Sequence, residues 1–97
     1  MNVTVLLADR FRSAADGAAE LSVEVTEQAD LGAVLDLLDA RYPTLGGALR
    51  DERHELRVDV GIYVDGTECR NLDGADTALT DGAEIQVVPS VAGAGGA

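Results

Sequence analysis

Residues 20–43, ELSVEVTEQADLGAVLDLLDARYP, change the period of their apolar residues part-way along, and this change decides the fold class. In the first part, Leu21, Val23 and Val25 alternate with polar residues, which predicts a strand with one buried face. In the second part, the apolar residues follow one stripe of an α-helix: Leu31, Val34, Leu35, Leu38 and Tyr42. The segment therefore predicts a strand followed by an amphipathic helix.

The ends of this helix carry the expected signals. Asp30 is a suitable N-cap, and Arg41 lies in the last turn, where the helix dipole favours a cation. Pro43 ends the helix, because the residue before a proline is disfavoured in helical conformation. Asp36 and Asp39 lie off the apolar stripe and are interpreted as its solvated side rather than as a pair of acid–base carboxylates.

Strand patterns lie on both sides of this segment. Residues 2–8 alternate and predict a first strand, antiparallel to the second. Residues 60–70 contain Asp65-Gly66 between two β-prone runs, which predicts a hairpin, and residues 84–88 form a last strand. The order of elements predicts an α+β fold in which one main helix packs on a mixed sheet of four to five strands.

The connecting segments are less regular. Residues 9–19 are small and polar and are predicted to form a turn. Leu45 and Leu49 indicate a short helical turn, and residues 50–57 carry mixed charge typical of an exposed loop.

Composition excludes several classes of function. The 97 residues carry a net charge of −11 and include no lysine, so phosphate backbones repel the chain and nucleic acid is not an expected partner. A single cysteine, Cys69, excludes an internal disulfide, an iron–sulfur cluster and a structural zinc site. The single cysteine also favours a reducing cytoplasm, and no targeting or membrane segment is visible.

The last residues differ in composition from the rest. Residues 1–89 are predicted to form the domain, and residues 90–97, SVAGAGGA, a flexible glycine-rich tail. Glycine packs poorly and loses the most entropy on ordering, so such a tail adds nothing to stability. Two interpretations remain open at this point: a frayed end without function, or a terminus that threads a narrow channel in another protein.

The chain resembles the ThiS/MoaD-type sulfur carriers, which are ubiquitin-like β-grasp proteins. The resemblance extends over nearly the whole chain, and four segments carry it: NVTVLLA (2–8), LGAVLDLLDARYP (31–43), VGIYVDGTECR (60–70) and LTDGAEIQVVPSVAGAGG (79–96). The last segment, in which a strand and a proline precede a glycine pair, is the most specific. Its sequence is most similar to that of the carriers that serve cysteine or natural-product biosynthesis.

The resemblance implies a carrier rather than an enzyme. A ubiquitin-activating-type enzyme would consume ATP to adenylate the terminal glycine. Sulfide or a sulfurtransferase would then convert the adenylate into a thiocarboxylate, which an acceptor synthase would use. No bound cofactor or metal is expected on the chain itself.

By the same resemblance, Gly96, with Gly95 before it, is the expected site of adenylation and thiocarboxylate formation. The residues expected to thread the partner's active site are Ser90, Val91, Ala92, Gly93 and Ala94. Ala97 departs from the family pattern, which ends at the second glycine. A metallopeptidase that removes Ala97 is therefore an expected partner; the alternative is a ubiquitin-like interaction module whose tail is not activated.

Other candidate residues carry weaker signals. Cys69 is interpreted as a small buried residue of a strand, and His54, on another segment, as a solvated loop residue, so a Cys–His nucleophile is not predicted. The acidic residues of positions 73–84 do not match the spacing of a calcium loop. Gly46-Gly47 is not followed by the lysine of a phosphate-binding loop.

Overall fold

The computed structural model describes residues 1–90, which form a five-stranded sheet with helices on one side. The strands are β1 (Asn2–Leu7), β2 (Glu20–Glu24), β3 (Val60–Val64), β4 (Thr67–Glu68) and β5 (Glu84–Pro89). The helices are α1 (Asp9–Arg12), α2 (Leu31–Arg41) and α3 (Pro43–Leu49). The predicted α+β fold, with one main helix on a mixed sheet, is confirmed. None of the helices within residues 1–90 is long and apolar enough to cross a bilayer.

The strands are arranged in the order β2-β1-β5-β3-β4. β1 pairs antiparallel with β2, as predicted, and parallel with β5, while β3 pairs antiparallel with both β5 and β4. β5 is therefore the central strand, held by a neighbour on each side over most of its length. The chain that follows Pro89 leaves from the middle of the sheet.

The core lies between the sheet and α2. Every second residue of the strands faces α2, and the apolar stripe of α2 faces back, so Val3, Val5, Ile85 and Leu38 are fully buried. Asp30 caps α2 as predicted, since its carboxylate accepts a hydrogen bond from the Ala33 N–H at 2.9 Å.

Pro43 ends α2 and also begins α3, since a proline is suited to the first position of a helix. The short turn predicted from Leu45 and Leu49 is a full helix, and both leucines are buried. Gly46 allows the two helices to approach closely: a Cβ atom there would lie 2.7 Å from the Cα of Asp39.

Two predicted segments differ in the structure. Residues 9–19 are not merely a turn: they contain α1 and a 3-10 turn, and Phe11 and Ala15 join the core. The predicted hairpin turn is confirmed by positive φ angles at Asp65 and Gly66, but its second strand ends at Glu68. A 3-10 turn starts at the next residue because the Glu68 carboxylate accepts the Arg70 N–H at 3.2 Å.

Candidate functional site at the end of the central strand

The predicted tail begins where β5 loses its sheet partners. Val60 pairs with Pro89 as the last position of the β3–β5 register, and the Ser90 N–H then donates to the Asp59 carbonyl at 2.8 Å. This bond fixes the start of the tail to the segment that leads into β3. Residues 91–97, with the predicted adenylation site at Gly95 and Gly96, lie outside the described residues.

Arg70 braces the segment that holds Ser90. Its guanidinium donates to the Val60 carbonyl at 3.0 Å, to the Arg57 carbonyl at 2.8 Å and to the Glu68 carboxylate at 3.3 Å. The Val60 N–H donates to the same Arg57 carbonyl, which closes a turn around residues 57–60. The planar guanidinium suits this role, because its several N–H groups point at acceptors on two segments at once.

A second ion pair lies on the other side of this turn. The Arg10 guanidinium lies 3.0 Å from the Asp59 carboxylate, and both side chains are about half exposed. Such an exposed pair contributes at most about 1 kcal/mol to folding. Its effect is to tie α1 to the residue whose carbonyl holds Ser90.

Beside Ser90, the outer face of the sheet carries a groove of about 520 Å³, here called the tail-base groove. Its lining residues are Val58, Gly61, Tyr63, Glu68, Arg70, Asn71, Val88, Pro89 and Ser90. Val58 is 81% exposed, and it is one of two large apolar side chains that are exposed among residues 1–90, the other being Leu72. Gly61 keeps the groove open, since a Cβ there would lie 3.3 Å from Val88 and 3.4 Å from Tyr63.

The tail-base groove is suited to contact with another protein. It combines exposed apolar surface with polar groups at its rim, which is typical of protein interfaces. Sequence reasoning missed the groove, because its residues come from several separate segments and only Ser90 was singled out as a site residue.

The remaining candidate residues are not assembled into a catalytic site. Cys69 is fully buried, and its thiol lies 3.5 Å from a Glu68 carboxylate oxygen. Burial, reinforced by Glu68, raises the pKa of the Cys69 thiol to about 11, so the thiol stays protonated and unreactive at neutral pH. Cys69 lies in the 3-10 turn rather than in the predicted strand, but its burial is confirmed.

His54 is exposed in the loop after α3, where φ is 63°, and its own N–H donates to the Asp51 carbonyl. The Asp51 carboxylate accepts the N–H groups of Glu55 and Arg53, and these bonds lower the pKa of Asp51. These contacts organise the loop and create no catalytic pair.

The acidic residues also have structural contacts. Asp36 lies 2.8 Å from the Arg50 guanidinium, and Asp81 accepts the Asn2 N–H at 2.9 Å. Within residues 1–90, no group of three or more His, Cys, Asp or Glu side chains is placed to hold a metal ion.

Comparison with known proteins agrees with this arrangement. The model of the ThiS family matches residues 5–93. The chain belongs to the ThiS family. The predicted resemblance is thereby confirmed, and with it the ubiquitin-like β-grasp fold.

Three relatives of this ThiS-family protein define its broad role. Small archaeal modifier protein 3 of Haloferax volcanii is 41% identical over 69 residues, which cover 71% of this chain and 74% of that protein. The sulfur carrier protein CysO of Mycobacterium tuberculosis is 34% identical over 95 residues, covering 96% and 99%. Its crystal structure matches with a TM-score of 0.80 at 30% identity, covering 92% of this chain and 99% of that one.

The third is the CysO chain in the BexX/CysO complex of Amycolatopsis orientalis, with a TM-score of 0.78 at 25% identity, covering 92% of this chain and 96% of that chain. The ThiS-family protein is accordingly a small carrier or modifier, not a catalyst, of the sulfur-carrier or ubiquitin-like modifier type.

Proposed function

We propose that this protein carries sulfur as a thiocarboxylate on Gly96, after removal of Ala97, for a biosynthetic acceptor enzyme. The observation that supports this most is the fixed start of the tail. Ser90 is bonded to Asp59 at the end of the central strand, directly beside the tail-base groove. A partner that docks on the groove would therefore meet the tail at a defined place and direction.

The proposed chemistry needs nothing from the carrier except its carboxylate. The Gly96 carboxylate attacks the α-phosphorus of ATP bound by a ubiquitin-activating-type enzyme, and pyrophosphate leaves. Sulfide then attacks the acyl carbon, the bond to AMP breaks, and a thiocarboxylate remains. Adenylation is required because a free carboxylate has no adequate leaving group. A persulfide on a sulfurtransferase cysteine can also serve as the sulfur source. It attacks the acyl carbon and AMP leaves; a second thiol then attacks the cysteine sulfur, so the thiocarboxylate is released and the two thiols remain joined as a disulfide.

The test is direct. The chain ending at Gly96 is incubated with its adenylating enzyme, ATP and sulfide, and its intact mass is measured. We expect the exchange of one oxygen for one sulfur, and trapping with a thiol-reactive reagent should place the sulfur on the terminal residue. An unchanged mass, with an adenylating enzyme that is active on its own carrier, would contradict the proposal.

A second function is favoured by the 41% identity to a small archaeal modifier protein. In that case the activated tail would be joined to amines of other proteins rather than loaded with sulfur. The chain contains no lysine, so its own side chains cannot accept a copy of itself. Covalent adducts of this protein on target lysines, identified by mass spectrometry in cells, would favour the modifier function over the carrier function.

A further inference from the structure

β2 leaves one side of its backbone unpaired by any strand of residues 1–90. Met1 and Val25 exchange two hydrogen bonds, of 2.6 and 2.8 Å, beside the β1–β2 ladder. Hydrogen-bonded and non-hydrogen-bonded residue pairs alternate along an antiparallel ladder. Val23, two residues before Val25, therefore also points its N–H and C=O toward β1. The N–H and C=O groups of Ser22 and Glu24 therefore point outward, along the edge of the sheet.

An apolar groove of about 490 Å³ lies next to this edge. It runs between the end of β2 and one side of α2 and is lined by Glu24, Val25, Thr26, Ala29, Ala33 and Leu37. The two alanines leave room, while Val25 and Leu37 provide larger apolar walls. A strand added to β2 would direct every second side chain toward α2, which is where this groove lies.

The charges at the edge indicate what kind of strand fits. Glu20, Ser22 and Glu24 are the exposed side chains of β2, on the face away from α2. Glu24 lies 3.6 Å from the Met1 amino group, yet its side chain remains 79% exposed and available to a partner. A strand with basic side chains opposite Glu20 and Glu24 would gain from both contacts.

A second copy of this chain fits poorly at the same edge. Two-fold pairing of β2 with itself about Ser22 would place Glu20 of each copy opposite Glu24 of the other, and like charges directly opposite destabilise a sheet. The net charge of −11 adds repulsion between copies.

We propose that the β2 edge and the groove beside it, together called the edge groove, bind an extended basic–apolar segment of another protein. The segment adds a sixth strand to the sheet, with Arg or Lys opposite Glu20 and Glu24 and apolar side chains directed at Ala33 and Leu37. Backbone bonds to Ser22 and Glu24 supply affinity, and the alternating side chains supply specificity.

This site is separate from the tail. Asn2 pairs with Glu24, and Leu7 pairs with Val87, so the edge groove lies toward the start of β5 and the tail toward its end. A partner bound at the edge groove therefore leaves the tail-base groove open. The inference does not depend on the proposed sulfur chemistry.

The probe is the synthetic peptide fluorescein-Gly-Arg-Val-Thr-Val-Arg-Gly-amide, with the dye on its N-terminal amine, titrated with the full chain and followed by fluorescence anisotropy. We expect saturable binding, with NMR shifts centred on Ser22, Glu24 and Ala33. The same peptide with Glu in place of both Arg residues should bind at least about tenfold more weakly. N-methylation of the alternate amides that face β2 should also abolish binding, although charge and apolar surface are kept.

Two variants and one control variant test the contribution of the protein's side chains. Glu20→Arg should weaken binding of the Arg peptide and strengthen binding of the Glu peptide. The control, Glu52→Arg in the loop after α3, makes the same change of charge and should not reverse the preference for the Arg peptide. Ala33→Glu should block the groove and weaken binding of the Arg peptide. Circular dichroism shows whether the Ala33→Glu protein is folded. If it is not folded, the result for Glu20→Arg tests the proposal.

Three results would overturn the proposal. They are equal binding of both peptides, equal effects of Glu20→Arg and Glu52→Arg, and NMR shifts that map to the tail-base groove instead. Thiocarboxylate formation on Gly96 is measured in parallel. If no thiocarboxylate forms while the peptide still binds, the proposed function is contradicted and the proposal for the edge groove is not.

Discussion

At the residue scale, Arg70 is the side chain with the most consequence for the start of the tail. It reaches the Val60 and Arg57 carbonyls and so holds the turn whose Asp59 carbonyl binds Ser90. No sequence pattern predicts this bracing of the turn, because the two partners there are backbone carbonyl groups, which are the same in every residue. By contrast, Asp30 was predictable as a cap because its partner lies three residues along.

Replacement of Arg70 by alanine should reduce the free energy of unfolding by about 1–3 kcal/mol, since two carbonyls lose a charged donor. Urea denaturation measures the change. Arg53→Ala, in the exposed loop after α3, is the matched control and should change stability by less than about 0.5 kcal/mol. Equal effects of the two variants would show that the bonds of Arg70 do not stabilise the turn.

Cys69 predicts a specific dependence of stability on pH. Its thiol has a pKa of about 11 in the folded protein, against an ordinary value of 9.0 that applies when the chain is unfolded. Between these two values the unfolded chain releases a proton that the folded chain keeps, so stability falls as pH rises. Below pH 9 both states hold the proton, and this contribution is constant.

The measurement compares the wild-type chain with Cys69→Ala by urea denaturation from pH 8 to pH 10.5. We expect the wild-type chain to lose more stability across this range than the variant, which is less stable throughout but lacks the thiol. Parallel curves for the two proteins would show that the thiol titrates alike in both states.

At the scale of elements, periodicity decided which segments were predictable. β1, β2, β5 and α2 have regular apolar patterns, and the structure confirms them. α1 was missed, because it is four residues long and its single buried side chain, Phe11, stands among polar residues. β4 was predicted too long, because Cys69 and Arg70 include no glycine or proline that would end a strand, while a local side-chain bond starts a 3-10 turn.

The junction of α2 and α3 gives a matched pair of glycine substitutions. Gly46→Ala would bring a Cβ to 2.7 Å from the Cα of Asp39, so the helices must move apart, at a cost of about 1–3 kcal/mol. Gly47→Ala has open space around its Cβ and should stabilise α3 by up to about 1 kcal/mol. Thermal melts of both variants measure the contrast, and a Gly46→Ala protein as stable as the wild type would disprove the tight contact.

At the scale of the whole molecule, the sequence predicted the tail and the structure added the surface beside it. The motif of a strand, a proline and a glycine pair is contiguous, so it can be recognised in a single amino-acid sequence. The tail-base groove is not contiguous: Val58, Gly61 and Val88 meet only because β3 pairs with β5. The edge groove likewise depends on how α2 crosses the sheet.

We expect adenylation of the chain to require removal of Ala97. A chain ending at Gly96 should support ATP–pyrophosphate exchange by the adenylating enzyme, and the full chain should do so only after a peptidase acts. The added residue moves the carboxylate by up to about 3.5 Å, and a misplacement of even about 1 Å can cost about a hundredfold in rate.

In the same assay, Gly96→Val in a chain ending at position 96 should give no exchange, while its urea denaturation matches that of the parent. Equal exchange by the full and shortened chains would contradict the need for trimming. Absence of exchange by both, and by a chain ending at Gly93, would favour a module with an inactive tail.

The bond between Ser90 and Asp59 also sets a distance. From that fixed point, the six residues to Gly96 have a contour length of roughly 20 Å when fully extended. An enzyme that holds the sheet at the tail-base groove must therefore keep its reactive phosphorus within that radius. Under the proposed function, the tail is an arm of fixed maximum length, and a partner with a deeper channel would reach the carboxylate only by first breaking the Ser90 bond.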